Sequence, residues 1–365
     1  MKAVVLVGGE GTRLRPLTFT TPKPLLPIVG VPFLERQLDW LGAHGVDEVV
    51  LSMGYLPDAF VDHFPDGRYG SMRLEYAVEP EPLGTAGAVR FAAEHADIDE
   101  RFFVCNGDVL TTLDLDAFLA FHLERGATAT IHLSRVDDPS ALGAVPTYPD
   151  GEVKAFVEKP PPGSAPTSWI NAGTYLLEPA VLERIPPGLA VSIERETFPR
   201  LLEQRGRMYA LGTDDYWLDV GKPETYLQAH ADVLAGCLGE PPSPGAREQS
   251  DGIWVQGDVD VAADATLVSP LFLGAGATIG SGARVAASTV GARCDVGRDS
   301  VVEGSVLLDG AQIAVGARVR SSIVGPDACL ESGAVVLDQS IVGAGAHIAT
   351  GTTLAGGRVP VAAAS

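Results

Sequence analysis

The stretch MKAVVLVGGEGTRLRPLTFTTPKPLLPI, Met1 to Ile28, runs a short apolar segment straight into glycines, an arginine pair and a lysine. Ala3 to Val7 has the length and valine content of a buried strand. Glycines after such a strand let backbone N–H groups come close to a phosphate, and a guanidinium grips phosphate oxygens in pairs. Neither common phosphate-loop fingerprint fits: Gly9 and Gly11 are followed by Leu14 where G-x-G-x-x-G needs a third glycine, and no G-K-[ST] is present. What remains is bare backbone at Gly8, Gly9 and Gly11, the Thr12 hydroxyl, and Arg13. Further on, Pro22 and Pro24 hold Lys23 in a stiff, extended frame.

Working outward, strand-like runs alternate with helical patterns as far as about Ala235. Glu48 to Met53, Arg73 to Val78 and Phe102 to Asn106 are apolar and rich in Val and Phe. Between them, PFLERQLDWLGAHG puts Phe33, Leu34, Leu38 and Leu41 on one helical face, and Gly84 to Ala96 makes a second helix. The alternation predicts an α/β domain over residues 1–235, a Rossmann-like, mostly parallel sheet with helices on both faces. Its ligands belong at the carboxyl ends of the strands.

Residues 236–252, rich in Pro, Gly and Ser, read as a linker. Beyond them an aliphatic residue recurs every six positions: Val255, Val261, Leu267, Leu273, Ile279 and Val285. The step shortens to five at Val290. Six-residue steps then run through Val296, Val302 and Leu308, with further short steps expected at Ile313 and Val324 and Val319 between them. Leu330, Val336, Val342, Ile348 and Leu354 complete the series. A six-residue period with one aliphatic per step is the mark of a parallel β-helix, here about six coils over residues 253–358, followed by a tail at 359–365.

Composition bounds the function. The net charge of −21 argues against nucleic acid or an anionic membrane as partner, because both need a basic face. No apolar tract approaches the ~18 residues of a membrane span, and Ala3 to Val7 is too short for a signal peptide. Cys105, Cys237, Cys294 and Cys329 are scattered without paired spacing, so neither a disulfide framework nor a zinc site is implied. A reduced, cytoplasmic setting is expected.

Two carboxylates stand at apparent strand ends. Asp108 follows Gly107 in FFVCNGDVL, and Asp219 precedes Gly221 in DDYWLDVGKPETY. Such a pair suits one Mg²⁺ shared with triphosphate oxygens. AFVEKP sets Glu158 beside Lys159, a pairing that is commonplace in isolation.

The whole series, GxGTRLRPLT with PKPLLPI, then EPEPLGTAGAV, NGD, FVEKP with NAG, and Tyr216 to Tyr226, resembles the sugar-1-phosphate nucleotidyltransferases in motif and order. Within that family the chain is most similar to mannose-1-phosphate guanylyltransferases bearing a C-terminal left-handed β-helix. The resemblance implies that Arg13 and Lys23 hold a nucleoside triphosphate and stabilise the leaving pyrophosphate. The other nucleotide contacts would be Leu6, Gly8, Gly9, Gly11, Thr12, Glu79 and Gly84. Gly143, Glu158, Lys159, Asn171 and Gly173 would bind the sugar phosphate, and Asp108 and Asp219 the Mg²⁺. In the family the residue five before the motif glycine meets the base edge, and here that residue is Glu79. A carboxylate accepts from the two adjacent donors of guanine, so Glu79 favours GTP. The expected reaction joins GTP and mannose 1-phosphate, giving GDP-mannose and pyrophosphate.

Other pairs remain open: glucose 1-phosphate or a cyclitol phosphate, with UTP, dTTP or ATP. A silent regulatory subunit that binds nucleotide sugars is a further alternative, although such relatives degrade the opening signature that this chain keeps. The repeat contains one histidine, His347, which reads as a surface residue rather than an acyltransferase base. The β-helix is expected to serve assembly into a homo-oligomer. VSIERETFP, Val191 to Pro199, is also similar to the guanylyltransferases but suggests no catalytic role. Glu194, Arg195 and Glu196 read as a solvated helix start, and the role of Lys222 is open.

Overall fold

The computed structural model describes residues 1–204 and 206–360. Contacts divide the chain into two compact units, one made of Met1–Gly9 and Arg36–Trp217, the other of Glu10–Glu35 and the chain from Leu218 onward.

In the first unit Lys2–Leu6 runs through a ten-stranded sheet, parallel to Glu48–Met53 on one side and Phe102–Asn106 on the other. Met72–Val78 continues the parallel set. Ala3, Val4 and Val5 are fully buried, as an apolar run covered on both faces requires. Beyond Phe102–Asn106 the direction reverses. Trp169–Leu177 pairs antiparallel with it and with Ala129–Arg135, and Met208–Gly212 runs parallel to the latter. Gly143–Ala144 and Val157–Glu158 add short antiparallel strands. The parallel centre is as the alternation predicts, and the antiparallel flank makes the whole sheet mixed.

Both expected helices form, over Phe33–Ala43 and Gly84–His95. Leu34, Leu38 and Leu41 are fully buried, so the apolar face is the inward face. One apolar core joins Val4, Val50, Val89, Ala92, Val104, Ile131, Tyr175, Phe198 and Met208.

The second unit contains the β-helix. One of its faces is a six-stranded parallel sheet carrying Val261, Ile279, Val296, Ile313, Leu330 and Ile348, one strand per coil. Val290, Leu307, Val324 and Val342 stack on another face, and Val285, Val302, Val319 and Val336 on a third. The register differs from the expected one at a single position: Leu307, not Leu308, joins the interior stack. Adjacent leucines leave a six-residue period ambiguous there. With Leu307 in place, the short steps fall at Val290, Leu307 and Val324, always on the same face.

That face has its own polar chain. Ser288, Ser305 and Ser322 are buried, and each hydroxyl donates to a carbonyl two residues back. In turn the Ser305 N–H donates to Ser288 Oγ and the Ser322 N–H to Ser305 Oγ. The hydroxyls thus satisfy backbone groups where the shorter step bends the chain.

Within the expected linker, Ala246–Ser250 is a strand paired antiparallel with Ile253–Gln256. At the other end Val359 pairs with Val342 in the last coil. The rest of the expected tail, residues 361–365, lies outside the described residues.

The opening segment packs inside the second unit. The Tyr226 hydroxyl donates to the Pro27 carbonyl, and the Val29 N–H donates to His230 Nδ1 at 3.3 Å. Gly30 lies against the Phe272 ring, and Pro16 covers Gly343 so closely that a Cβ there would stand 3.0 Å from the proline Cγ.

Candidate active site

In the first unit the candidate residues fall on one line across the sheet. Leu6 pairs with Asn106 on one side and Ser52 on the other, and Ser52 pairs with Ala77. Thr174 stands opposite Cys105, Ile170 opposite Ala144, and Gly143 opposite Glu158. The carboxyl ends of the parallel strands therefore adjoin the Asn171–Gly173 turn of their antiparallel neighbour. Asp108, half-buried, follows the strand end by two residues.

The close approaches explain the glycines. A Cβ on Gly173, whose φ is +76°, would lie 2.5 Å from Asn106 Nδ2, and one on Gly107 would lie 2.6 Å from the Leu6 carbonyl. Only bare backbone lets the two turns meet.

Glu79 sits beside Gly8, whose missing Cβ would be 3.4 Å from Glu79 Oε1. The carboxylate accepts from the Ser52 hydroxyl at 3.0 Å and from the Leu83 N–H at 3.0 Å, which closes the loop leading into the Gly84–His95 helix. Glu81 is exposed and makes no such closure.

On the other flank, Gly143 leaves room for Glu158, whose Oε2 would stand 3.0 Å from a Cβ. Lys159 is exposed and adopts φ +47°, a left-handed conformation that typically costs a non-glycine residue about 1–3 kcal/mol and gathers at functional sites. Its N–H donates to the Leu142 carbonyl at 3.0 Å, which holds that turn. The Asn171 amide is pinned at both ends: Nδ2 donates to the Tyr175 hydroxyl at 2.8 Å, and Oδ1 accepts from the Gly173 N–H at 3.0 Å.

The second unit carries the remaining candidates. Gly11 has φ +60°, and a Cβ on it would stand 2.9 Å from Thr18 and 3.1 Å from Lys23, so this glycine is required twice over. Its carbonyl accepts from the Thr18 hydroxyl at 2.9 Å, folding Thr12–Leu14 into a tight turn. Arg13 projects from that turn, exposed. Arg15 is engaged elsewhere, paired with Glu10 at 2.6 Å and set over the Phe19 ring. Arg13 and Asp219 border the same small space above Gly221, where a Cβ would lie 2.5 Å from the guanidinium and 2.9 Å from Asp219 Oδ1. Lys222 caps the Pro223–Leu234 helix through its backbone and Thr225, with its side chain exposed.

Asp108 and Asp219 are hard oxygen donors, the chemistry of a Mg²⁺ that keeps water and phosphate among its ligands. Asp219 Oδ1 is a buried oxygen beside the bare backbone of Gly221. Among the described residues His44, Asp114 and Asp116 bring ligand atoms within 4.8 Å of one another. There, however, Asp114 caps the Leu115–Arg125 helix, and the positive end of a helix disfavours a cation.

The sequence gives no role to Glu194, Arg195, Tyr175 or Thr85, yet all four join this arrangement. Ile193–Thr197 is a single π-helical turn, a form frequent at functional sites. Glu194 is not solvated as expected; it accepts from Thr85, Ser192 and Tyr175, while Arg195 pairs with Glu158 at 3.2 Å. No local signal marks this group, because Thr85 and Glu194 lie 109 residues apart in the chain.

The chain is similar to known proteins over most of its length. The family described as "Nucleotidyl transferase" matches residues 2–236, and the "EIF2B subunit epsilon LbH domain", a left-handed β-helix, matches residues 250–354. The mannose-1-phosphate guanylyltransferase of Mycobacterium tuberculosis (strain ATCC 25618 / H37Rv) is 41% identical over 81% of this chain and 81% of its own length. A UTP–glucose-1-phosphate uridylyltransferase of Synechocystis is 31% identical over 93% of this chain and 90% of its own. Among solved structures, HddC from Yersinia pseudotuberculosis complexed with GMP-PN is 34% identical, with a TM-score of 0.54, covering 63% of this chain and 97% of that one. Enzymes of this kind generally use a divalent metal. No helix among the described residues is long and apolar enough to cross a membrane. The chain belongs to the nucleotidyl transferase family and carries a left-handed β-helix at its C-terminal side.

Proposed function

We propose that this enzyme joins GTP and mannose 1-phosphate to give GDP-mannose and pyrophosphate. The observation that carries the reading is the line of residues across the first unit's sheet. Glu79 and Gly8 stand at one end, Asp108 and Gly173 near the middle, and Gly143 and Glu158 at the other.

An oxygen of the sugar phosphate attacks the α-phosphorus. The bond from that phosphorus to the bridging oxygen breaks, and pyrophosphate leaves with the electron pair. The nucleophile is already an anion, so no covalent enzyme intermediate is needed, and the protein's work is positioning and charge neutralisation. Arg13 and Lys23 neutralise the triphosphate, and the N–H groups of Gly8, Gly9, Gly11 and Thr12 approach its oxygens. Leu6, Glu79 and Gly84 receive the nucleoside. Lys159 holds the sugar phosphate, while Glu158, Asn171, Gly143 and Gly173 receive the sugar. Asp108 and Asp219 would hold a Mg²⁺, which would screen the phosphate charge. The β-helix serves assembly of identical subunits.

The test crosses four nucleoside triphosphates with several sugar 1-phosphates and follows pyrophosphate release. GTP with mannose 1-phosphate is expected to give the highest kcat/KM, and a different leading pair would overturn the substrate assignment. In the same assay Asp108→Asn and Asp219→Asn should each lower turnover about 100-fold or more, with unfolding midpoints near the wild type. Near-normal Mg²⁺-dependent rates in either would remove that residue from the metal site.

A further inference from the structure

Residues 191–196 are tied to both flanks of the first unit's site. On the nucleotide side, the Val191 N–H donates to the Leu83 carbonyl at 2.8 Å, and its own carbonyl accepts from Ala86 at 2.9 Å. A Cβ on Gly84 would stand 2.7 Å from that carbonyl, so the contact is as close as backbone allows. Thr85 adds a side-chain link, accepting from the Ile193 N–H at 2.8 Å and donating to Glu194 Oε2 at 3.0 Å.

On the sugar side the same glutamate receives the Tyr175 hydroxyl proton at 3.2 Å, and Tyr175 in turn accepts from Asn171 Nδ2. Tyr175 is fully buried, and burial together with the nearby Glu194 charge pushes its phenol well above the usual range, so it stays a donor. The direction of this chain is forced. A carboxylate only accepts, so the single phenol proton must go to Glu194. The phenol oxygen can then only accept from Asn171, which turns the amide nitrogen toward Tyr175 and the amide oxygen toward the Gly173 N–H. One amide N–H is used in this way, and the other is set in a fixed direction.

We propose that Glu194 is a positioning residue for the sugar phosphate. Through Tyr175 it fixes which way the Asn171 amide faces, and through Thr85 it ties that setting to the nucleotide-side loop. This inference rests on the function proposed above. It adds a residue that touches no substrate but sets the polarity of one that does.

The experiment measures separate KM values for the triphosphate and the sugar 1-phosphate in wild type, Glu194→Gln, Asn171→Ala and the double variant, with unfolding midpoints as the control. An amide at position 194 can donate as well as accept, so it keeps the shape and loses the direction. Glu194→Gln is expected to raise the sugar-phosphate KM about tenfold, the loss of one well-made hydrogen bond, while the GTP KM changes less than about twofold. The double variant should be no worse than Asn171→Ala alone, because the two residues act in series. Glu194→Asp, which remains an acceptor, should recover part of the loss. An unmoved sugar-phosphate KM in an active Glu194→Gln enzyme, or effects that multiply in the double variant, would overturn the inference and leave the proposed reaction standing. A wild type that turns over no sugar 1-phosphate would overturn both.

Discussion

The Glu79 carboxylate closes its own loop through Ser52 and Leu83, and those two bonds use half of its four acceptor positions. On the proposed function, the remaining pair would receive the adjacent N1–H and exocyclic amine of guanine, whereas uracil offers one donor flanked by acceptors. Glu79→Gln should therefore reduce the ratio of kcat/KM for GTP over UTP by about tenfold, roughly one charged hydrogen bond. A ratio equal to the wild type's would show that Glu79 only shapes the loop. At this scale the sequence was readable wherever chemistry and backbone coincide. Asp108 follows the tightly packed Gly107 just past a strand end, the place where an α/β sheet is expected to meet its ligands. Glu194 carried no such mark. Its partners Thr85 and Tyr175 lie far off in the chain, and a Glu-Arg-Glu triplet has the composition of a solvated face.

Among elements, the β-helix shows why periodicity is strong evidence for a fold and weaker evidence for register. Six-residue spacing identified the coils, because a disordered Ala/Gly/Val tail keeps no such step. The choice between Leu307 and Leu308 depended on backbone bonds between coils, which no local pattern encodes. The buried serines of the short-step face went equally unread, since serine also fills exposed turns. Ser305→Ala should strand the Ser322 N–H, while the Glu303 carbonyl keeps its bond from the Ser321 N–H. An expected cost of about 1–3 kcal/mol should lower the urea midpoint, while Ser281→Ala, whose hydroxyl meets Asp264 at the surface, should change it little. Equal midpoints for the two variants would deny the serine chain a structural role.

For the whole molecule, acidity of the medium is the informative variable. His132 is fully buried in the Ala129–Arg135 strand, with Nε2 at 2.9 Å from the Thr213 hydroxyl, and burial pushes its pKa from 6.5 down to about 4. In the unfolded chain this imidazole takes a proton below about pH 6.5, which the native state refuses until about pH 4, so the stability it contributes is present above 6.5 and is lost across that window. The loss approaches about 3 kcal/mol. His122 is shifted the same way by burial, against the pull of Glu178. Urea unfolding at pH 7.5 and 4.5 should show a smaller difference for His132→Gln than for wild type, and parallel curves would exclude the histidine as the source.

The seating of the opening segment within the second unit has a bearing on how the protein is made. Pro16 rests on Gly343 and Gly30 on Phe272. A ribosome adding about 5–20 residues per second delivers the arginine and lysine early and their footing late. A nascent chain therefore carries Arg13 and Lys23 on an unsettled loop until the coil bearing Gly343 has been synthesised.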